Sequence, residues 1–250
     1  MSEDPGLRGQ NATVSAAAAR SDQSSTSEVA ARVADSLATI RHRIAAAGGS
    51  PAEVTVVAVT KGHGPAAAMA ALDAGLCDVG ENYAAALVAT SSAVTAGGRR
   101  ARCHFLGHVQ RNKVRAVASH VHLWQGVDRP AAGAEIARRA PGAAVLVQVN
   151  VSGEAAKNGC RPEEVPMLVE DLVSRGLDVR GLMAVGPAGP VEDARPGFRQ
   201  LVDLADRLGL GVRSIGMTDD LEVAVGEGST MVRIGRGLFG PRIGAGDLRR

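Results

Sequence analysis

The feature that most constrains this chain is an alternation of short apolar segments with longer amphipathic ones. Eight segments have the length and β-branched content of strands: Val54–Thr60, Cys77–Gly80, Cys103–Leu106, Val121–Trp124, Ala144–Val149, Val179–Val185, Val212–Ile215 and Met231–Ile234. The helix-like stretches between them include Pro65–Ala74, Val109–Ala118, Pro130–Arg139, Pro162–Ser174, Glu192–Leu208 and Asp219–Gly226. Strands that alternate with helices in this way predict a parallel sheet joined by right-handed crossovers.

Eight such units in one chain predict an α/β fold, a single (β/α)8 TIM barrel. A doubly wound open sheet is the alternative, but no GxGxxG motif follows the first strand. An additional helix is predicted from about Ser27 to Ala47, where apolar residues recur at helical spacing until Gly48 and Pro51 stop it. Residues 1–27 lack such periodicity and are expected to form a disordered tail, which leaves residues 28–250 for the barrel.

Composition argues against several classes of function. The formal net charge is +2 and aromatic residues make up 2% of the chain, so neither a basic surface nor stacking platforms for nucleic acid are expected. The three cysteines include no CxxC pair, and the six histidines form no convincing ligand set, which predicts no disulfide framework and no metal site. No apolar run could span a bilayer or act as a secretory signal, so a cytoplasmic protein without membrane contact is expected.

Active sites of such barrels lie at the carboxyl ends of the strands. Lys61 ends the first strand, VTVVAVTK, and strand alternation places it on the same face as Val57 and Val59. If those valines fill the barrel interior, the Lys61 amine reaches the barrel mouth, where partial desolvation makes an amine nucleophilic. A solvated lysine just beyond a strand is the alternative interpretation.

Arg233 lies within the last strand, MVRIG, on the face that it shares with Met231 and Gly235. The opposite face carries Val232 and Ile234, whose branched side chains suit the layer between sheet and helices. Arg233 is therefore expected to point into the barrel, where a guanidinium needs an anionic or acceptor partner. That partner is either a ligand or a carboxylate of another strand, and the sequence leaves both open.

Small residues follow the last two strands, in the strings SIGMT and GRG. Barrel loops at these positions frequently bind phosphate through main-chain N–H groups, which small residues allow an anion to approach. The residues with suitable chemistry are Ser214, Gly216, Thr218, Gly235 and Gly237. A plain turn at each strand end is the alternative interpretation.

Seven strings, in order along the chain, resemble those of one known family. They are AVTKGHG, DVGENY, CHFLGHVQRNKVRAV, QVNVSGEAAKNGC, RGLMAV, SIGMTDDLEVAVGEGSTMVRIG and LFG. The family is that of the pyridoxal 5′-phosphate (PLP) homeostasis proteins, called YggS in bacteria and PROSC elsewhere, and the resemblance runs from about Val54 to Gly240. This family is similar to the barrel domain of alanine racemase, the fold-type III PLP architecture.

The resemblance implies PLP as the cofactor and a role for each residue of the site. Lys61 is then the Schiff-base lysine, and Asn82 lies near the cofactor at the end of the second strand. Arg233 matches the arginine that hydrogen-bonds the pyridine nitrogen in racemase-like sites. The implied contacts to the cofactor phosphate and its surroundings are Ser214, Met217, Thr218, Gly235 and the residue at position 236.

The chain departs from the family pattern in three places. Arg236 stands where Thr or Ser is usual, so its guanidinium either folds over the phosphate or points away. Thr218 stands where Ser is usual. The string GHGP follows Lys61 in place of a Thr-Lys-Pro or Thr-Phe-Pro string, which leaves His63 without an implied role.

The implied site predicts PLP binding without substantial catalysis. An arginine beside the pyridine nitrogen disfavours its protonation, and an unprotonated ring is a poor electron sink. Racemisation needs a second acid/base, which alanine racemase takes from a tyrosine of a C-terminal β-domain. Here the chain ends at Arg250, soon after the eighth strand, and Tyr83 is the only tyrosine.

The sequence therefore predicts a PLP carrier that serves PLP homeostasis and apo PLP-dependent enzymes. A weak amino-acid racemase and a barrel enzyme with a phosphorylated substrate are the alternatives. The expected lack of the β-domain removes the racemase dimer contacts, which favours a monomer without deciding between monomer and dimer.

Overall fold

The eight predicted strands close into a parallel barrel in the computed structural model, which describes residues 27–241. The strands are β1 (Thr55–Val59), β2 (Asp78–Glu81), β3 (Arg102–Phe105), β4 (Leu123–Val127), β5 (Ala144–Gln148), β6 (Asp178–Met183), β7 (Val212–Ser214) and β8 (Met231–Ile234). Each strand pairs with the next in the chain, and β1 closes the barrel by pairing with β8, with Thr55 opposite Met231. The predicted TIM barrel is confirmed, and the open-sheet alternative is wrong.

Helices follow the strands on the outside of the barrel. Helix α1 covers residues 27–46, as the apolar spacing predicts. The others are α2 (Pro65–Asp73), α3 (Ala84–Ala96), α4 (Arg111–Val117), α5 (Pro130–Arg139), α6 (Val165–Ser174), α7 (Arg195–Arg207), α8 (Leu221–Gly226) and α9 (Arg236–Phe239). Short 3-10 turns at Ala118–His120, Pro162–Glu164 and Val191–Ala194 extend α4 and precede α6 and α7.

Two elements differ from the sequence prediction in instructive ways. Strand β4 begins at Leu123 rather than Val121, because the 3-10 turn at Ala118–His120 prolongs the preceding helix, and it continues through Gln125 to Val127. Helix α3 is not among the predicted helices. Its sequence, AAALVATSSAVTA, is apolar or small all round and carries no amphipathic stripe.

Strand alternation separates an inner from an outer apolar layer. Val57 and Met231 lie in a small apolar cluster inside the barrel, together with residues of β4, β5 and β6. Val56, Val232 and Ile234 instead belong to the larger core between the sheet and the helices. The prediction that the odd-numbered residues of β1 and β8 face the interior is therefore confirmed for Val57 and Met231.

Some of the remaining predictions about chain organisation concern residues that the structure does not describe. Residues 1–26, which make up almost all of the predicted tail, lie outside the described residues, and so do residues 242–250. Between these two ends, no helix is both long and apolar enough to cross a membrane. All three cysteines are free thiols, with Cys77 exposed and Cys103 and Cys160 buried.

Candidate functional site

An open cavity of about 790 Å³ occupies the barrel mouth, at the carboxyl ends of the strands. Two of the predicted site residues, Lys61 and Asn82, line it from the ends of β1 and β2. Five more line it from the β7 and β8 side, namely Met217, Thr218, Arg233, Gly235 and Arg236. The structure thus brings to one cavity seven of the eight residues that the resemblance implies, whereas the predicted strand-end glycines Gly216 and Gly237 are not part of the lining.

Lys61 enters the cavity just beyond β1 and is half-buried. The preceding residue, Thr60, is anchored to β2, because its N–H donates to Gly80 O at 3.0 Å and its hydroxyl to Glu81 Oε1 at 2.6 Å. The following Gly62 has a φ of 82°, a left-handed conformation that favours glycine. Lys61 is therefore held between a fixed strand end and a tight turn.

Glu81 of β2 supports the end of β1 from a buried position between the barrel and α3. It is buried and accepts hydrogen bonds from Thr60 and from Thr90 of α3, at 2.6 and 3.3 Å, through Oε1. Burial raises the pKa of Glu81, although these two hydroxyl bonds and the charge of Lys61 act in the opposite direction. Its Oε2 is buried without a hydrogen-bond partner among the described residues.

The chain contains only three lysines, Lys61, Lys113 and Lys157. Lys113 is exposed on α4, away from the cavity lining. The Lys157 ammonium is held in the loop after β5 and donates to Glu154 Oε1 at 2.9 Å and to Gly186 O at 2.8 Å. Lys61 is thus the one lysine of the chain that lines the cavity.

Arg233 is the buried cation of the site, with 5% of its surface exposed. Its NH1 donates to Ser214 O at 2.5 Å and to Ser214 Oγ at 2.7 Å, and its NH2 donates to Ala184 O at 2.7 Å. Burial lowers the pKa of Arg233 to about 10, against the opposing charge of Asp220, so the side chain stays charged at neutral pH. The predicted inward orientation is confirmed, and the acceptors in the structure are a hydroxyl and two carbonyls rather than a strand carboxylate.

Ser214 is the one residue of the eight implied by the resemblance that does not line the cavity. It is fully buried in β7, where its hydroxyl accepts from Arg233 and donates to Gln125 Oε1 at 2.7 Å. Both bonds of the hydroxyl lie below the mouth, so in this structure it supports Arg233. Whether Ser214 also contacts a phosphate stays a prediction.

Thr218 and the glycines after β8 form a small polar recess at the mouth. Thr218 Oγ1 accepts a hydrogen bond from Gly237 N at 3.1 Å, which leaves its own O–H to donate to an anion. A β-carbon at Gly237 would lie 3.1 Å from Thr218 Cγ2, and one at Gly235 would lie 3.2 Å from Val59 O. Glycine at both positions therefore keeps this recess open at the first turn of α9, where helical N–H groups lack intrahelical acceptors.

The loop that carries Met217 and Thr218 is tied down at both ends. Asp220 precedes α8 but makes no side-chain cap hydrogen bond to it, and its Oδ1 instead accepts from Met217 N at 2.6 Å. From the outside, Arg43 of α1 donates to Thr218 O at 2.9 Å and forms a two-point ion pair with Glu222 at 2.6 and 2.7 Å. Sequence reasoning missed Arg43, because 175 positions separate it from Thr218.

Arg236 lies at the rim of the cavity, where its guanidinium forms an exposed ion pair with Asp219. An exposed pair contributes about 1 kcal/mol or less, so Arg236 can exchange this partner for another anion at low cost. Whether the side chain contacts a phosphate stays a prediction.

Tyr83, the only tyrosine of the chain, follows Asn82 after β2 but is not part of the cavity lining. Its side chain is 70% exposed. In the described structure the residue is therefore poorly placed to act as a second acid/base in the cavity.

A polar cluster that sequence reasoning missed lies at the opposite, N-terminal end of the barrel interior. Asp78 of β2 accepts two bonds from Arg102, at 2.8 and 2.6 Å, and one from His104 Nε2 at 2.9 Å. Burial alone would raise the pKa of Asp78, but the hydrogen bonds from Arg102 and His104 outweigh it and lower the pKa to about 2. The carboxylate is therefore ionised throughout the physiological range.

This shift predicts an acid-dependent loss of stability. The folded pKa of about 2 lies below the unpaired value of 3.8, so the contribution of Asp78 is present above about pH 4 and is lost as the pH falls towards 2. Its size is about 2 kcal/mol. We expect urea unfolding to show this extra pH dependence in the native protein and not in Asp78→Asn, which is less stable at pH 6. Parallel pH profiles for the two proteins would contradict the assignment.

Comparison with known proteins places this site in context. Residues 35–242 match the family model described as alanine racemase, N-terminal domain. The pyridoxal phosphate homeostasis protein of Pseudomonas aeruginosa is 40% identical over 225 residues, which cover 86% of this chain and 96% of the relative. The protein of the same name from Escherichia coli K12 is 36% identical over 228 residues, covering 84% and 97%.

Solved structures agree with the fold. PipY of Synechococcus elongatus, solved with PLP bound, superposes with a TM-score of 0.72 at 27% identity and covers 83% of this chain and all of its own. An alanine racemase of Clostridium difficile superposes with a TM-score of 0.67 at 16% identity, covering 84% of this chain and 58% of the racemase. At that identity the racemase supports the barrel fold alone.

Proposed function

The chain belongs to the alanine racemase N-terminal domain family, and on that premise we propose that it binds PLP and acts in PLP homeostasis without substantial catalysis. The observation that carries the proposal is the position of Lys61. It is the one lysine that lines the mouth cavity, which also contains Thr218 and Gly235 of the polar recess and the buried Arg233. The PLP seen in PipY, whose fold matches this chain, supports the same cofactor here.

The residues present fit this cofactor. PLP, when bound, supplies an aldehyde that condenses with an amine, and Lys61 is the residue that we propose holds it covalently. The recess formed by Thr218, Gly235 and Gly237 offers the Thr218 O–H, a donor that suits a phosphate oxygen, because its Oγ1 already accepts from Gly237 N. Asn82 and Met217 also line the cavity, and we propose that they contact the cofactor.

Arg233 then orients the cofactor ring and limits its chemistry. Its NH2 donates one bond to Ala184 O and retains a second N–H to offer a ring nitrogen. A buried, charged guanidinium donates a hydrogen bond but does not give up its proton, because its pKa of about 10 lies well above neutrality. An unprotonated pyridine nitrogen withdraws electrons weakly, which favours storage of the cofactor over turnover of amino acids.

The proposed role is that of a PLP carrier that shields the aldehyde and releases it to apo-enzymes in the cytoplasm. The weak position of Tyr83 supports this role against racemisation, because a racemase needs a second proton donor opposite its lysine. The cavity lining contains no tyrosine.

The experiment that tests the proposal is an absorbance spectrum of the purified protein with added PLP. We expect a visible band that hydroxylamine removes, and no racemisation in a chiral assay across the amino acids. Absence of the band would overturn PLP binding. Racemisation that depends on Lys61 would overturn the non-catalytic role and leave the binding intact.

Arg236 provides a separate prediction, because this chain departs from its family there. If the guanidinium exchanges Asp219 for the cofactor phosphate, Arg236→Thr should weaken PLP binding by roughly tenfold, the worth of a charge-assisted hydrogen bond. Asp219→Asn frees the same guanidinium and should leave binding unchanged or tighter. Equal dissociation constants for the native protein and Arg236→Thr would show that the Arg236 side chain does not contribute to PLP binding.

A further inference from the structure

A line of hydrogen-bonded side chains runs through the barrel interior from Arg233, at the mouth, to Asp78 near the opposite end. It passes through Ser214, Gln125 and His104, each of which is buried. These residues come from five strands, β8, β7, β4, β3 and β2. We name the set of five side chains the axial relay.

Which group donates and which accepts in each hydrogen bond of the axial relay follows from the residues at its two ends, Arg233 and Asp78. Arg233 can only donate, so Ser214 Oγ accepts from it at 2.7 Å and donates its own proton to Gln125 Oε1 at 2.7 Å. The Gln125 carboxamide is thereby oriented with its nitrogen towards His104 Nδ1, at 2.8 Å. The Gln125 nitrogen also lies 3.2 Å from Met231 Sδ, a weak acceptor that fits the same orientation.

The other end imposes the same direction. The ionised Asp78 can only accept, so His104 Nε2 carries a proton and donates to Asp78 Oδ1 at 2.9 Å, which leaves Nδ1 to accept from Gln125. Asp78 accepts from Arg102 as well, and so ends the relay as an ionised carboxylate held from both sides. A chain in which each group donates to the next is mutually polarised, and the low dielectric of the barrel interior strengthens it.

We propose that Gln125 and Ser214 are positioning residues for the cofactor, because their hydrogen bonds fix the guanidinium of Arg233, which would donate to the PLP ring nitrogen. Ser214 O and Ala184 O hold Arg233 through the main chain, but only the Oγ bond connects it to the rest of the barrel interior. This inference rests on the proposed function and deepens it. It extends the cofactor site from the mouth to a residue, Gln125, that does not line the cavity.

The test compares Ser214→Ala and Gln125→Met with the native protein. Each variant removes one link of the relay and leaves Lys61, Thr218 and the recess glycines intact. We expect the dissociation constant for PLP to rise by about three- to tenfold, the worth of one hydrogen bond. We also expect the visible band of bound PLP to shift in position or in its pH titration, since the ring nitrogen loses its fixed donor.

Ser229→Ala is the matched control. Ser229 is also a buried serine, near the start of β8, and its hydroxyl donates to Ile215 O at 2.7 Å outside the relay. Its loss should cost stability without changing PLP affinity or the band. If the native protein binds PLP at Lys61 and both relay variants match it in affinity and spectrum, the positioning role is overturned. If the native protein shows no bound PLP, the proposed function itself fails.

A second measurement keeps the inference testable should either variant unfold. Nitrogen-15 NMR of the native protein without cofactor reports which ring nitrogen of His104 carries the proton. The axial relay predicts the neutral form with the proton on Nε2. A proton on Nδ1 would mean that Gln125 is reversed and the relay does not run to Arg233.

Discussion

Replacing Lys61 with alanine is expected to abolish the covalent, borohydride-reducible attachment of PLP. The reason is that the only other lysines, Lys113 and Lys157, lie on an exposed helix and in an ion-paired loop. The fold should persist, because Lys61 is half-buried at the cavity and the β1 end is anchored through Thr60. The measurement is peptide mapping after borohydride reduction, together with the visible spectrum and the melting temperature.

Two matched variants serve as controls for the loss of a lysine. Lys113→Ala and Lys157→Ala should each retain a full visible band and a reduced adduct at position 61. An adduct of native strength in Lys61→Ala, mapped to Lys157 or to the N-terminal amine, would show that the attachment point has been misassigned.

Replacing Gly107 with alanine is expected to destabilise the barrel severely and to damage the mouth. A β-carbon at Gly107 would lie 2.1 Å from Asn82 O, a main-chain atom that cannot rotate away, and Gly107 O itself would lie 2.2 Å from a β-carbon at Gly126. We expect a loss of about 3 kcal/mol or more. For a chain of this size that corresponds to a fall in melting temperature of roughly 6–12 °C.

The effect on PLP binding should accompany the effect on stability. Asn82 and Gly107 both line the cavity, so pushing their strands apart displaces Asn82 from its place beside Lys61. Gly211→Ala is the control, because a β-carbon there has no neighbour within 4 Å and the residue does not require a positive φ. A Gly107→Ala protein with native melting temperature and PLP affinity would contradict the prediction, because it would show that the ends of β2 and β3 can separate without loss of stability.

The barrel could be predicted from the eight strand-like segments that alternate with helices. The direction of its inward side chains could be predicted because successive side chains of a strand point to opposite faces. Lys61 continues the face of β1 that carries Val57, and Arg233 shares a face of β8 with Met231. These relations depend only on alternation within each strand. Alternation does not predict how deep a side chain lies along the barrel axis. Ser214 faces inward as the pattern requires, but it pairs with Met231, two positions below Arg233, and so lies beneath the cavity.

Features that depend on distant partners were not predictable. Gln125 and Gly126 end the apolar run of the fourth segment, so the pattern stops β4 at Trp124, whereas the structure continues it to Val127. Gln125 is tolerated inside the strand because Ser214 and His104 satisfy its carboxamide, 89 and 21 positions away. Helix α3 was missed for a different reason, since a helix of small and apolar residues carries no stripe to detect.

The ion pair between α1 and the loop that carries Thr218 has a consequence for the order of events during protein synthesis. Arg43 and Glu222 are 179 positions apart, and β1 must also wait for β8 before the barrel closes. At translation rates of about 5–20 residues per second, Arg43 waits roughly 10–35 s for its partner to be made. Lys61 is thus synthesised early and the recess that we propose for the phosphate late, so the nascent chain exposes the Lys61 amine for many seconds before the proposed cofactor site is complete.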